Sequence, residues 1–415
     1  MVRREVLPNG LRILTETITY VQSVSIGIWV ASGSRDETHE IAGISHFIEH
    51  MYFKGTETRT ARQIADEFDS IGGQLNAFTD KEYTCYFCKV LCEHLPHALN
   101  VLSDMFLNST LATQEIELEK NVILEEIKRH EDTPEEQVHD LVAEIVWEGH
   151  PLGKSILGNE ESVENLTRDN LVEFTGSRYS PDSIIISAAG NLVHEELVEQ
   201  INRLFGDNTG SREKLSEKPP IFTNESRLTT KTTEQVHLCI GTKGYSQVDQ
   251  NRYDLAIIDA TLGGGMSSRL FQEIRENRGL VYAIGSYSAS YRDGGMFAIY
   301  GGTSMENIEE VVNLIRAEFK NIVQGNITDD ELTRAKNQIR AALVLSEESM
   351  SSRMSRMAKT ELYFGRLMPI EEIISCVQNV THESVARAAN DIFGDSQFPI
   401  AAIGPFNDRK VVICQ

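Results

Sequence analysis

Strict alternation of apolar and polar positions marks several short stretches of this chain as strands. "SVSIGIWVAS" from Ser23 reads this way, and "GGQLNAFTDKEYTCYFCKVL" from Gly72 reads as a hairpin-like pair of strands. "SIIISAAG" from Ser183 and "FPIAAIG" from Phe398 are short apolar runs that close two longer blocks. Between these strands the apolar residues recur at helical spacing. In "HEIAGISHFIEHMYF" from His39, Ile44, Phe47, Ile48 and Met51 gather on one side of a helix drawn at 100° per residue. Adjacent strand pairs interspersed with helices predict an α+β protein, its sheets mainly antiparallel and backed by helices.

The pattern occurs twice. "VQSVSIG" at Val21–Gly27 aligns with "QVHLCIG" at Gln235–Gly241, an offset of 214. "NLTRDNLVEFTGSRYSPDSIIISAAGN" from Asn165 and "NVTHESVARAANDIFGDSQFPIAAIGP" from Asn379 share that offset of 214 without a gap through Gly190 and Gly404. Two separated blocks with one offset indicate two copies of one unit. The expected division is 1–205 and 225–415. The polar stretch around "GDNTGSREKLSEKPP", within 206–224, has the composition of a linker.

On the polar side of the helix that contains His46, His50 lies about 40° away and Glu49 about 60° the other way. Two imidazoles one turn apart suit a single Zn²⁺, and a carboxylate beside them can take a proton from a water whose pKa the ion lowers. The plain alternative is a solvated helix face on which two histidines fell four apart. Two facts weigh against it. H-x-x-E-H is the inverted zinc-protease signature, and at the repeat offset the second copy has Ala260, Gly263 and Gly264 instead. A packing requirement of a duplicated fold would appear in both copies.

Composition narrows the remaining classes. The chain has 415 residues, 40% hydrophobic and 24% charged, enough for two soluble domains. No stretch has the roughly 18 consecutive apolar residues of a membrane span, and the start "MVRREVLPNGLRILTE" has no apolar h-region, so no signal or transit peptide is expected. A net charge of -23 excludes nucleic acid as an expected partner and suits basic peptides. Cys85 and Cys88 form a CxxC, but on a strand they point to opposite faces and could not share an ion. Reduced, buried thiols fit a cytoplasmic location.

"GISHFIEHMYFKGT" from Gly43, followed by "GGQLNAFTDKEYTCYF", resembles the inverzincin metallopeptidases of the pitrilysin and mitochondrial processing peptidase family. The resemblance covers nearly the whole chain and is nearest to the processing peptidase β subunit and its bacterial single-gene relatives. It implies two homologous domains closing as a clam-shell around a peptide cavity: an N-terminal catalytic zinc domain and a C-terminal substrate-binding domain without zinc. It also implies a third ligand about 76 residues beyond His50. In "ELEKNVILEEIKRHED" that residue is Glu126, with Glu125 adjacent if the register slips and Glu119 placed to support the site.

Further implications follow from the same likeness. "GGQLNAFT" would be an exposed edge strand that takes an extended peptide, with Asn76 and Ala77 lining the cleft; the alternative is an ordinary sheet interior with a glycine turn. Arg275 and Tyr282 match an Arg-x6-Tyr pair that reaches the substrate carbonyl. The expected function is therefore a zinc endopeptidase acting on extended or unfolded peptides, with Glu49 activating water and His46, His50 and Glu126 holding one Zn²⁺ per chain. A homodimer is the simplest assembly. The rival expectation is a non-catalytic structural or substrate-binding subunit of the same fold.

Overall fold

The computed structural model describes residues 2–212, 218–395 and 397–406. The expected linker 206–224 includes 213–217, which lie outside the described residues, as does Cys414. The chain forms two compact units.

The first unit is built on a six-stranded sheet. Its strands are β1 (Val2–Val6), β2 (Arg12–Thr17), β3 (Ser23–Val30), β4 (Gln74–Thr79), β5 (Thr84–Leu91) and β6 (Ile184–Gly190). Their order is β1-β2-β6-β3-β5-β4, with β2 and β6 parallel and the other pairs antiparallel. One face carries the main core, in which Val24, Ile26 and Ile28 of β3 meet Phe47, Ile48 and Met51 of helix α1 (Ile44–Met51). Helices α2 (Ala61–Ser70), α3 (Leu95–Asn108) and α4 (Thr113–Glu131) add to that layer through Ile64, Leu99 and Ile123.

The second unit has a five-stranded sheet of β7 (Arg227–Thr230), β8 (Val236–Gly244), β9 (Val281–Ser290), β10 (Gly295–Thr303) and β11 (Ile400–Gly404). Its order is β7-β11-β8-β10-β9, and β7 and β11 are its parallel pair. Strand for strand this repeats β2-β6-β3-β5-β4, so the duplication read from the sequence is a duplication of topology.

The compact units do not coincide with the two halves of the chain. Residues 345–368 belong to the first unit and 128–154 to the second. In the first, helix Met350–Phe364 covers the second face of the sheet, where Met354, Met357 and Ala358 pack with Leu14, Trp29, Cys85 and Ile185. In the second, helix α5 (Pro134–Val146) does the same, with Val138, Val142 and Val146 against Cys239, Ala298 and Ile403. The central strands are therefore buried on both faces, which is why β6 and β11 read as continuous apolar runs such as "SIIISAAG", whereas the outer strands β1 and β4 stay largely exposed or half-buried.

Glycines at the same place in each repeat let these helices in. A Cβ on Gly27 would lie 3.0 Å from Met354 Sδ, and one on Gly241 would lie 2.8 Å from methyl groups of Val142 and Val146. Cys85 and Cys88 fall in the clusters on opposite sides of the first sheet, as strand geometry requires, and burial pushes both thiols up, Cys88 to about 12. Among the described residues no helix is long and apolar enough to cross a membrane.

Candidate metal centre and the comparisons

Helix α1 is amphipathic in the manner its spacing predicts. Ile44, Phe47, Ile48 and Met51 anchor it in the core, leaving His46, Glu49 and His50 on its other side. Helix α4 brings Glu126 to them. Glu126 Oε2 lies 3.8 Å from His46 Nε2 and 3.8 Å from His50 Nε2. One donor atom from each of the three residues lies within 4.8 Å of the other two, the one such group among the described residues. A tetrahedral zinc with bonds of about 2.0–2.1 Å separates its donors by roughly 3.4 Å, so the two 3.8 Å separations from Glu126 are within a few tenths of an ångström of what such an ion requires, and the set closes on it by drawing the donors inward.

The electrostatics suit ligation. Burial, assisted by the neighbouring His50, holds His46 down at about 4, so its imidazole is neutral at physiological pH. His50 Nδ1 is 2.8 Å from Glu119 Oε1, which orients the ring with Nε2 towards Glu126. Burial alone would raise Glu119, but hydrogen bonds from His50 and from Lys54, whose Nζ is 2.5 Å from Oε2, outweigh it and hold the carboxyl below its ordinary range. His46 Nδ1 is buried without a hydrogen-bond partner among the described residues, so the two rings are supported differently. Glu126 is the most exposed of the three, its side chain 31% accessible against 10% for His46. The site is open on its Glu126 side.

Glu49 stands beside the donors and not among them. Burial raises its pKa, opposed by a hydrogen bond from Thr79, whose Oγ1 donates to Glu49 Oε2 at 2.5 Å, and by the charge of His50. A carboxylate whose proton affinity is raised this way is a competent acceptor for a proton from water. Neither Thr79 nor Lys54 was among the expected site residues. Lys54 follows His50 by four positions, a spacing visible in the sequence, whereas Thr79 reaches α1 from the end of a strand.

β4 is an edge strand, bonded on one side to β5. Asn76 is exposed, Ala77 is buried, and the Ala77 N–H donates to Asn76 Oδ1 at 2.8 Å. The structure thus brings His46, Glu49, His50, Glu119 and Glu126 together in the first unit. Arg275 and Tyr282 lie in the second unit, where the Arg275 guanidinium sits 5.6 Å from the centre of the Tyr282 ring and 4.6 Å from that of Phe271. The Tyr282 side chain is largely exposed.

Comparisons with known proteins agree with this architecture. The family "Insulinase (Peptidase family M16)" matches residues 12–160, and "Peptidase M16 inactive domain" matches 165–339. A Bacillus subtilis protein named as the uncharacterized zinc protease YmxG is 44% identical over 98% of this chain and 98% of its own length. An uncharacterized zinc protease of Streptomyces coelicolor is 37% identical over 99% of this chain and 91% of its own. A protease from Helicobacter pylori shares the fold at 21% identity, with a TM-score of 0.90 over 98% of this chain and 99% of that one. A peptidase M16 inactive domain from Pseudomonas fluorescens shares it at 19% identity, with a TM-score of 0.91 over 99% of this chain and 100% of that one. With matches at this identity running almost end to end, the chain belongs to the M16 peptidase family.

Proposed function

We propose that the protein is a zinc endopeptidase that hydrolyses extended peptides, with one zinc per chain. The observation that carries this reading is the convergence of His46 Nε2, His50 Nε2 and Glu126 Oε2 with the Glu49 carboxylate alongside. His46, His50 and Glu126 would hold the zinc ion, which when bound would supply Lewis-acid polarisation of the scissile carbonyl and lower the pKa of the attacking water. Glu49 takes the proton from that water and passes it to the leaving amine. Glu119 holds the His50 ring in register through Nδ1.

The free edge of β4, with Asn76 and Ala77, takes the peptide as an added strand, which selects extended substrates over folded ones. Arg275 and Tyr282 contribute to substrate binding. The finer reading includes a homodimer, a cytoplasmic location and a preference for peptides with basic residues, the last drawn from the net charge of -23.

Turnover of a quenched, arginine-containing peptide, with zinc measured on the same sample, tests the proposal. About one zinc per chain is expected in wild type and in Glu49→Gln, with the variant slower by about 10²- to 10⁴-fold and a chelator abolishing the wild-type rate. Zinc bound with no loss of turnover in Glu49→Gln would remove Glu49 as the base. A zinc-supplemented sample that holds no zinc would overturn the ligand assignment and leave a non-catalytic subunit as the reading.

A further inference from the structure

The segment Ser32–Glu37 lies outside the H-x-x-E-H helix and is buried from Ser32 to Glu37. It touches both of the elements that meet at Glu49. Towards the β4–β5 turn, Ser34 N donates to Asp80 O at 3.2 Å and Arg35 N donates to Lys81 O at 2.7 Å. Thr84 Oγ1 donates to Ser32 O at 3.0 Å. The Arg35 guanidinium bonds Glu82 Oε1 at 2.7 Å, with both side chains 2% exposed or less. The approach is close enough that a Cβ on Gly33 would lie 2.1 Å from Asp80 O.

Towards helix α1, the Glu37 carboxylate accepts from Gly43 N at 2.7 Å and from Ser45 N at 2.9 Å. Gly43 is the N-cap and has no side chain to offer, so two of the helix's unbonded N–H groups are satisfied from six and eight residues upstream. One short segment therefore fixes the start of the helix bearing Glu49 and the turn that ends the strand bearing Thr79. Where those two elements meet, Thr79 Oγ1 donates to Glu49 Oε2.

We propose that Ser32–Glu37 is a positioning clamp for the water-activating carboxylate: Glu37 sets helix α1, the Arg35–Glu82 pair sets the β4–β5 turn, and Thr79 transmits that register to Glu49. Arg35, Glu37, Thr79 and Glu82 are positioning residues, acting through Glu49 and not on substrate. The inference rests on the peptidase reading for its kinetic consequence, but the clamp itself is a feature of the metal-free chain. A carboxylate held from two directions keeps one rotamer, and misplacement on the ångström scale costs about 10²-fold in rate.

Two arms test it. In metal-free protein, Glu37→Leu, which removes both acceptor oxygens, is expected to speed hydrogen exchange at the Gly43 and Ser45 amides by about tenfold or more, leaving β3 unchanged, since an unpartnered N–H is more readily opened; unchanged exchange at those amides would overturn the cap. In the loaded enzyme, Thr79→Val is expected to lower kcat by about 10- to 100-fold with KM and zinc content within about twofold, and Thr79→Ser to recover most of it. A rise in KM with kcat intact, or no recovery with serine, would overturn the role of Thr79.

The link between the two ends is read from Arg35→Met combined with Glu82→Met, which removes the buried pair while keeping bulk. Its loss in kcat is expected not to multiply with that of Thr79→Val, and multiplicative losses would show that the pair does not act through Thr79. Arg35→Lys makes the same comparison if the double variant does not fold. Because the exchange arm needs neither zinc nor substrate, the clamp and the peptidase activity fail separately.

Discussion

Burial pushes the Glu37 carboxyl up to about 7, against the pull of the Ser45 and Gly43 N–H groups and of Lys81. A folded-state value above the ordinary 4.5 means that the native protein binds this proton more tightly than the unfolded chain does. The contribution of Glu37 to stability is therefore fullest below about 4.5 and declines as pH rises towards 7. The Tm of wild type minus that of Glu37→Gln should fall across that window and level off above it; a flat difference would count against the assignment. At this scale the sequence was legible where the chemistry is local. His46, Glu49 and His50 are neighbours on one helix, so their spacing carries their geometry. Glu126 comes from a second helix, and family resemblance picked it out where spacing could not. Thr79 was not legible at all, because a contact between a strand end and a helix has no fixed spacing in the chain.

At the scale of elements, alternation located the strands, and a shared offset of 214 predicted that the second sheet repeats the first. The exchanged helices were not foreseen, since repetition shows which segments are equivalent but not which sheet each one covers. A signal was present nonetheless. A glycine inside a strand often marks a close approach by another backbone or side chain, and Gly27 and Gly241 are such glycines at equivalent positions. Gly241→Val would drive methyl groups into Val142 and Val146 of α5 and is expected to cost about 1–3 kcal/mol by overpacking. Chemical denaturation measures this, and a cost below about 0.5 kcal/mol, as at an ordinary surface site, would mean that α5 has room to move.

At the scale of the whole molecule, each compact unit is completed by a piece of the other half: 345–368 serves the first sheet and 128–154 the second. Protein nicked between 206 and 224 is accordingly expected to elute from a sizing column as one species of unchanged size and to part into two bands in detergent. Fragments that separate without denaturant would contradict this. The same exchange suggests one physical route to such a chain. A single-repeat chain of this design could bury the second face of its sheet with the helix of a second copy, and two such copies exchanging that helix form a swapped homodimer. Joining the copies tail to head converts that dimer into one polypeptide, after which only one copy need keep its histidines. In such a chain the second copy can carry Ala260, Gly263 and Gly264 where the first has His46, Glu49 and His50, because one polypeptide supplies both halves.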